Sequence, residues 1–319
     1  MESLDEVARE IDRLRAQPVV GKGSAFKRLV LRSTNFFLSR LMNILSLLEE
    51  TAREQQRQIN ELTAQVEQLQ QRQSEDADAE TAHERSPSAD RMRSPDWESN
   101  LPAEVAFWRS IIADRGVAFG CSEEVEERLN PNAPLQDYLR ELLPASGHVR
   151  ILDIGAGPFT TVGKKWEGRT VEVVAVDALA QAYDSILQEY GIVPPVRTIE
   201  CVGEKVAEIF PAQSFDLVHI KNALDHCFDP IAVLRSALAL CKPQGFIFLS
   251  HHANEGRHQG YCGLHQWNLA ALDNHFILWN PDSVHWVNNL LRGTQIRCDS
   301  FPMSQGDYWL NVVIQRLGQ

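Results

Sequence analysis

From Val149 onward, short apolar runs alternate with helix-compatible segments. The runs are VRILDI, VEVVAVD, PVRTIE, FDLVHI, GFIFLS, QIRC and YWLNVVIQR. Several are apolar at consecutive positions, the pattern of strands buried on both faces. Strands that alternate with helices predict a doubly wound parallel α/β sheet with helices on both faces. Two helical pieces precede it. LPAEVAFWRSIIADRG puts Val105, Trp108, Ile111 and Ile112 on one face, and APLQDYLRELLP follows an Asn-Pro-Asn turn. One domain over 101–319 is expected, with helices at 101–148 and the sheet core at 149–319.

The first predicted strand runs into ILDIGAGPFT, residues 151–160. Gly155 and Gly157 let the backbone bend tightly and approach a ligand. A dinucleotide fold needs a third glycine three residues after the second, so that a helix N-terminus meets the pyrophosphate. Thr160 stands there, behind Pro158 and Phe159. Asp153, directly before the turn, is unfavourable beside a pyrophosphate and suits a ligand that carries an ammonium group. A nicotinamide-dependent oxidoreductase is therefore disfavoured.

The N-terminal part has a different character. Between Arg13 and Leu48 there are seven Lys and Arg residues and no acid, interleaved with Phe26, Phe36, Phe37 and aliphatic residues. Two readings fit residues 22–48: a helix on an anionic membrane surface, or a helix packed on protein. Leu41, Leu45, Leu48, Ala52, Gln55, Ile59, Leu62, Val66 and Leu69 then recur at alternating spacings of four and three. That narrow seam predicts a coiled coil over 41–69 and a homo-oligomer, with a long solvated single helix as the alternative. Residues 1–72 thus form a predicted helical arm. Residues 73–100 are polar, carry two Ser-Pro steps and are expected to be a disordered linker.

Composition narrows the function. The chain has 319 residues, with 31 Lys plus Arg against 43 Asp plus Glu, for a net charge of −12. Such a chain repels phosphate backbones, and no nucleic-acid partner is expected. The six cysteines are scattered without a CxxC pair, so neither a zinc ribbon nor a disulfide framework is suggested, and free thiols in a reducing compartment are expected. The N-terminus lacks signal-peptide layout, and no apolar run is long enough for a bilayer. A cytoplasmic protein is expected, with the arm peripheral at the inner face of a membrane in one reading.

Four blocks in order carry a family resemblance. They are Asp153-Ile154-Gly155-Ala156-Gly157, Val174-Ala175-Val176-Asp177, PAQSFDLVHIKNALDHCFDP at 211–230, and LCKPQGFIFLS at 240–250. Together they resemble class I S-adenosylmethionine-dependent methyltransferases of the type 11 kind. The resemblance implies a Rossmann-like seven-stranded methyltransferase sheet and S-adenosyl-L-methionine as cofactor. It implies a donor site at Asp153, Gly155, Ala156, Gly157, Asp177, Ala178, Glu204 and Asn222, with Glu204 where the family often places an adenine acceptor. An acid at Asp177 can accept both ribose hydroxyls. Two departures stand out: Phe159 for a common glycine, and Gln244 for the first glycine of a Pro-Gly-Gly turn.

Methyl transfer to a hydroxyl needs a base, and histidine titrates near neutrality. The candidates are His226, after the fourth strand, His251 and His252, after the fifth, and His265. For His226 a structural role fits equally well. SHHANEGRHQGYCGLHQWN, residues 250–268, mixes polar side chains with aromatic ones, which suits a sugar or other hydroxyl-rich acceptor. It also resembles a segment of bacterial methyltransferases associated with surface glycans. An ordinary surface loop is the plainer alternative. With no HExxH or comparable spacing, no metal is expected. O-methylation of a glycan or small hydroxyl acceptor is the leading reading. The competing one is a non-enzymatic coiled-coil scaffold that carries a methyltransferase-like docking domain.

Overall fold

The structure, a computed structural model, describes residues 95–144, 147–303 and 308–318. The predicted arm at 1–72, with its basic 22–48 stretch and its 41–69 seam, lies outside the described residues, as do linker residues 73–94. Residues 95–100, read as linker, are instead the start of helix α1, Pro95–Asp114. The reason is one aromatic anchor. Trp97 Nε1 donates to the carbonyl of His226 at 2.7 Å, and the indole meets Phe228 edge-on at 5.5 Å. The surrounding charge and Ser-Pro composition concealed it.

Two short helices follow, α2 (Ser122–Leu129) and α3 (Asp137–Arg140). The core then runs β1 (His148–Ile154), β2 (Thr170–Asp177), α4 (Ala180–Glu189), β3 (Thr198–Glu200), α5 (Val206–Ile209), β4 (Phe215–Lys221), α6 (Pro230–Leu240) and β5 (Cys241–His252). After α7 (Glu255–His258) come β6 (Asn268–Leu272), β7 (His275–Asn280), β8 (Ser283–Trp286), α8 (Val287–Leu290), β9 (Thr294–Pro302) and β10 (Tyr308–Arg316).

Seven strands form one sheet in the order β3-β2-β1-β4-β5-β10-β9. These are the seven strands read from the sequence. The α/β, Rossmann-like class holds, but the sheet is not wholly parallel. β10 runs antiparallel to both β5 and β9. The β9–β10 connection is only a few residues long, which permits a hairpin and not a crossover. β6, β7 and β8 make a separate three-stranded antiparallel sheet that the sequence reading left unassigned.

The layers have distinct causes. Strands β1 and β4 are buried almost end to end, and α6 covers them with Val233, Leu234, Ala237 and Leu240. Asp229 caps α6 by accepting the Ala232 N–H at 2.9 Å, with Pro230 at its first position. No helix joins β1 to β2 among the described residues. Residues 155–169 are irregular, and they are held by Leu135, whose N–H donates to Lys165 O at 2.7 Å. Leu135 and Leu139 fill that face against Val149, Ile151 and Val162. Gln244, where the family has glycine, takes a left-handed φ of 64°. No helix among the described residues is long and apolar enough to cross a membrane.

Candidate functional site

In the sheet order, β1 lies between β2 and β4, so the chain reverses direction of travel across the sheet at β1. Open α/β sheets bind ligands outside the strand C-termini at such a switch point. A cavity of about 710 Å³ opens there. Its size suits a cofactor and an acceptor fragment. Helix α1 forms one wall with Trp97, Glu104 and Trp108.

The glycine loop is stitched to β2. The N–H groups of Gly155 and Ala156 both donate to Val176 O, at 2.9 and 3.1 Å. Both glycines have positive φ, 71° and 65°. Their missing side chains serve packing as well as ligand approach. A Cβ on Gly155 would lie 2.2 Å from the Ala223 Cβ, and one on Gly157 would lie 2.9 Å from the Trp108 ring. Phe159, the residue in place of a glycine, is buried and meets Trp108 edge-on at 6.0 Å; Trp108 in turn meets Tyr183 at 6.2 Å. The substitution therefore anchors α1 over the loop.

Asp153 lines the cavity, but its carboxylate faces protein. One oxygen accepts from Thr160 Oγ1, and the other pairs with His219 Nδ1 at 2.7 Å. Both oxygens are thus engaged within the fold, and an ammonium would have to share them. The sequence missed His219 because a strand residue 66 positions away carries no spacing signal. Thr160 takes over the third-glycine position as a bracket for Asp153, and its Oγ1 also accepts the Val162 N–H at 3.0 Å.

Asp177 ends β2 and accepts two backbone N–H groups, Gly157 at 3.0 Å and Leu179 at 2.9 Å. Burial pushes its pKa up to about 6. Ala178 lines the cavity beside it. Glu204 is buried in a short turn after β3, accepts the Asp229 N–H at 3.1 Å, and has its pKa raised by burial. Asn222 follows β4 with a left-handed φ of 44°, and its Oδ1 accepts the His252 N–H at 3.1 Å. All eight residues expected at a donor site line this one cavity.

The histidines divide. His226, His252 and His265 line the cavity; His251 does not. It sits 1% exposed on β5, where burial lowers its pKa to about 4. Strand alternation explains this, because neighbours on β5 point to opposite faces. His252 Nδ1 pairs with Glu255. His226 and His265, 39 residues apart, converge on Asp225. His265 Nδ1 is 2.8 Å from Asp225 Oδ2 and 3.0 Å from His226 Nε2, and His226 Nε2 is 3.5 Å from the same oxygen. Burial opposes ionisation of Asp225, yet the His226 charge and the His265 hydrogen bond hold its pKa below the usual value. Burial likewise opposes charge on His265, but its bond to Asp225 raises its pKa overall. Gln266 N–H holds the Asp225 carbonyl at 3.1 Å, and Trp97 holds that of His226. Asp225 was not singled out from sequence, although it stands directly before His226.

The lining chemistry fits S-adenosylmethionine. Seven carboxylates line the cavity against two fixed cations, Arg128 and Lys221, and both of these reach Glu124. Such a surface favours a sulfonium and an ammonium and opposes a polyphosphate. No helix N-terminus follows the loop to bind one. Asp177 presents carboxylate oxygens to the cavity at the end of β2, and Trp108 and Tyr183 supply apolar surface.

A family model described as a methyltransferase domain matches residues 124–290. Ubiquinone biosynthesis O-methyltransferase of Xanthomonas oryzae pv. oryzae is 31% identical over 117 residues, which is 36% of this chain and 47% of that protein. The chain thus spans about half the length of the curated relatives it matches. Among solved structures, a SAM-dependent methyltransferase from Aquifex aeolicus matches at 14% identity and a TM-score of 0.35, covering 60% of this chain and 92% of that one. Haemonchus contortus phosphoethanolamine N-methyltransferase 2 in complex with S-adenosyl-L-methionine matches at 16% identity and a TM-score of 0.38, covering 57% and 51%. The family match covers more than half of the chain and contains the loop, Asp177, Glu204 and the Asp225 cluster, so the chain belongs to the methyltransferase-domain family.

Proposed function

We propose that the chain transfers a methyl group from S-adenosylmethionine to a hydroxyl oxygen. The observation that carries this reading is the Asp225–His226–His265 cluster on the wall of the donor cavity. Displacement at a sulfonium carbon needs donor and acceptor held in line and in contact. A hydroxyl acceptor must also lose its proton as the new bond forms. The cluster joins a carboxylate to two imidazoles within reach of a bound acceptor. Glu104 and Trp108 on α1 and the loop 155–159 hold the donor side; Asp177 takes the ribose. The donor supplies an activated methyl, and this chain's residues orient it and exclude water.

Oxygen as the acceptor atom agrees with the ubiquinone biosynthesis O-methyltransferase relationship. A sugar or glycan is the acceptor class we favour. His252, Glu255, His265 and Trp309 line the cavity with polar groups beside an aromatic ring, a combination that suits hydroxyl-rich ligands. Residues 41–69 would associate copies of the chain, and residues 22–48 would rest on an anionic membrane. The six free cysteines suit a cytoplasmic setting. A screen of glycan, phenol and amine acceptors with methyl-labelled donor tests this. Label transfer to hydroxyl acceptors supports the reading, and transfer confined to amines contradicts it.

A further inference from the structure

We propose that Asp225, His226 and His265 bind a divalent transition-metal ion of the zinc class. The inference rests on the proposed function only for the ion's use, not for its binding; with the ion bound, His226 Nε2 and His265 Nδ1 are ligands, and the cluster promotes proton loss through the ion and not as a base. Three ligand atoms meet at one point: Asp225 Oδ2, His226 Nε2 and His265 Nδ1, separated by 2.8, 3.0 and 3.5 Å. Ligands about 2.0–2.1 Å from a common tetrahedral ion stand roughly 3.4 Å apart. The triangle is therefore close to one face of a zinc coordination shell, and small side-chain rotations complete it.

Proton accounting points the same way. A neutral imidazole has one N–H and one lone pair, and a carboxylate only accepts. If His265 Nδ1 carries a proton toward Asp225, the same nitrogen has no lone pair to accept from His226. If it carries none, it accepts from His226 but faces the carboxylate with a lone pair at 2.8 Å. Neutral or protonated, His265 Nδ1 has at most one proton, and with His226 Nε2 as acceptor it must share that proton between two partners in a weaker three-centre bond. An ion that takes one lone pair from each atom satisfies all three.

The donor set selects the ion. Two imidazoles and one carboxylate suit zinc, iron, cobalt or nickel and not magnesium or calcium, which prefer oxygen. Asp225 is buried and the two rings are partly exposed to the cavity. Three protein ligands on one side leave a coordination position open toward the acceptor space, as in catalytic sites. There an acceptor hydroxyl becomes more acidic. Its proton leaves to solvent, the O–CH3 bond forms as the S–CH3 bond breaks, and the bonding pair stays on sulfur as S-adenosylhomocysteine. The backbone bonds from Gln266 and Trp97 brace the two turns that present the ligands.

The test is Co2+ titration of the full chain after chelation, read by visible d–d absorption. One ion per chain with bands of low coordination number is expected. His265→Ala and Asp225→Ala should lose more than about 100-fold in affinity, while His275→Ala, outside the cluster, keeps it. His265→Cys should retain the ion and add a thiolate-to-cobalt charge-transfer band, which separates lost ligation from lost folding. Absence of bands in the parent chain, or bands that persist in both Ala variants, overturns the metal site. Calorimetry with S-adenosylmethionine on the metal-free chain reads the donor site separately. Donor binding without cobalt binding removes the metal and leaves the transferase reading intact.

Discussion

The Gly157 N–H donates to Asp177 Oδ2 at 3.0 Å, so the acid that ends β2 holds the glycine loop that ends β1. One carboxylate thus shapes the glycine loop and lines the cavity, where we propose that it takes the ribose. Asp177→Asn keeps one acceptor oxygen and turns an NH2 group toward a backbone donor. Donor affinity should fall about 10- to 100-fold, or roughly 1.4–2.8 kcal/mol. Burial pushes the Asp177 pKa up to about 6. The ionised form is the better acceptor, so donor binding should tighten as pH rises through 6 and level off above it. The Asn variant should lose that pH dependence. Calorimetric titrations from pH 5 to 8 check both statements.

Phe159 anchors α1 through Trp108. Phe159→Gly restores the family's usual residue but empties a fully buried site. Removing a buried Phe ring costs about 3–5 kcal/mol. Urea unfolding should show that loss, and donor affinity should fall with it because the Trp108 wall loosens. A variant with full stability and full affinity would show that the ring is dispensable.

His251 titrates far from the surface value, with burial holding its pKa at about 4. The unfolded chain binds its proton near pH 6.5, so between pH 6.5 and 4 the unfolded state holds more protons. Stability from this group is present above pH 6.5 and is lost as pH falls toward 4. His251→Leu removes the effect. Relative to the parent, the variant should gain about 3 kcal/mol between pH 7 and pH 4. Urea midpoints at the two pH values measure it, and a pH-independent difference contradicts it.

Gln244 occupies the left-handed region with a φ of 64°. Left-handed backbone costs a non-glycine residue roughly 1 kcal/mol or more. Gln244→Gly should relieve part of this, and the melting temperature should rise by a few degrees. An unchanged or lower melting temperature would mean that the Gln315 hydrogen bond to Gln244 compensates.

The sheet was legible because buried strands write themselves as apolar runs, and all seven appear where those runs stand. The residues that line the cavity at the ends of β1 and β2 were legible because a tight turn and a strand-end acid are local features. Long-range pairings were not. Asp153 meets His219 across 66 residues, and Asp225 meets His265 across 40. His251 and His252 look alike in sequence, yet strand alternation buries one and gives the other to the cavity. The three strands β6 to β8, NLAAL, HFILWN and SVHW, are short and lack a clean period-two pattern, so they follow the histidine-rich 250–268 stretch without a strand signal of their own.

The central claim is that the cavity at the end of β1 binds S-adenosylmethionine. Isothermal titration of the full chain with S-adenosylmethionine at pH 7.5 tests it most directly. The account predicts saturable binding with one site per chain, weakened at least tenfold in Asp177→Asn. No binding at millimolar donor, or equal affinity in the variant, would contradict it.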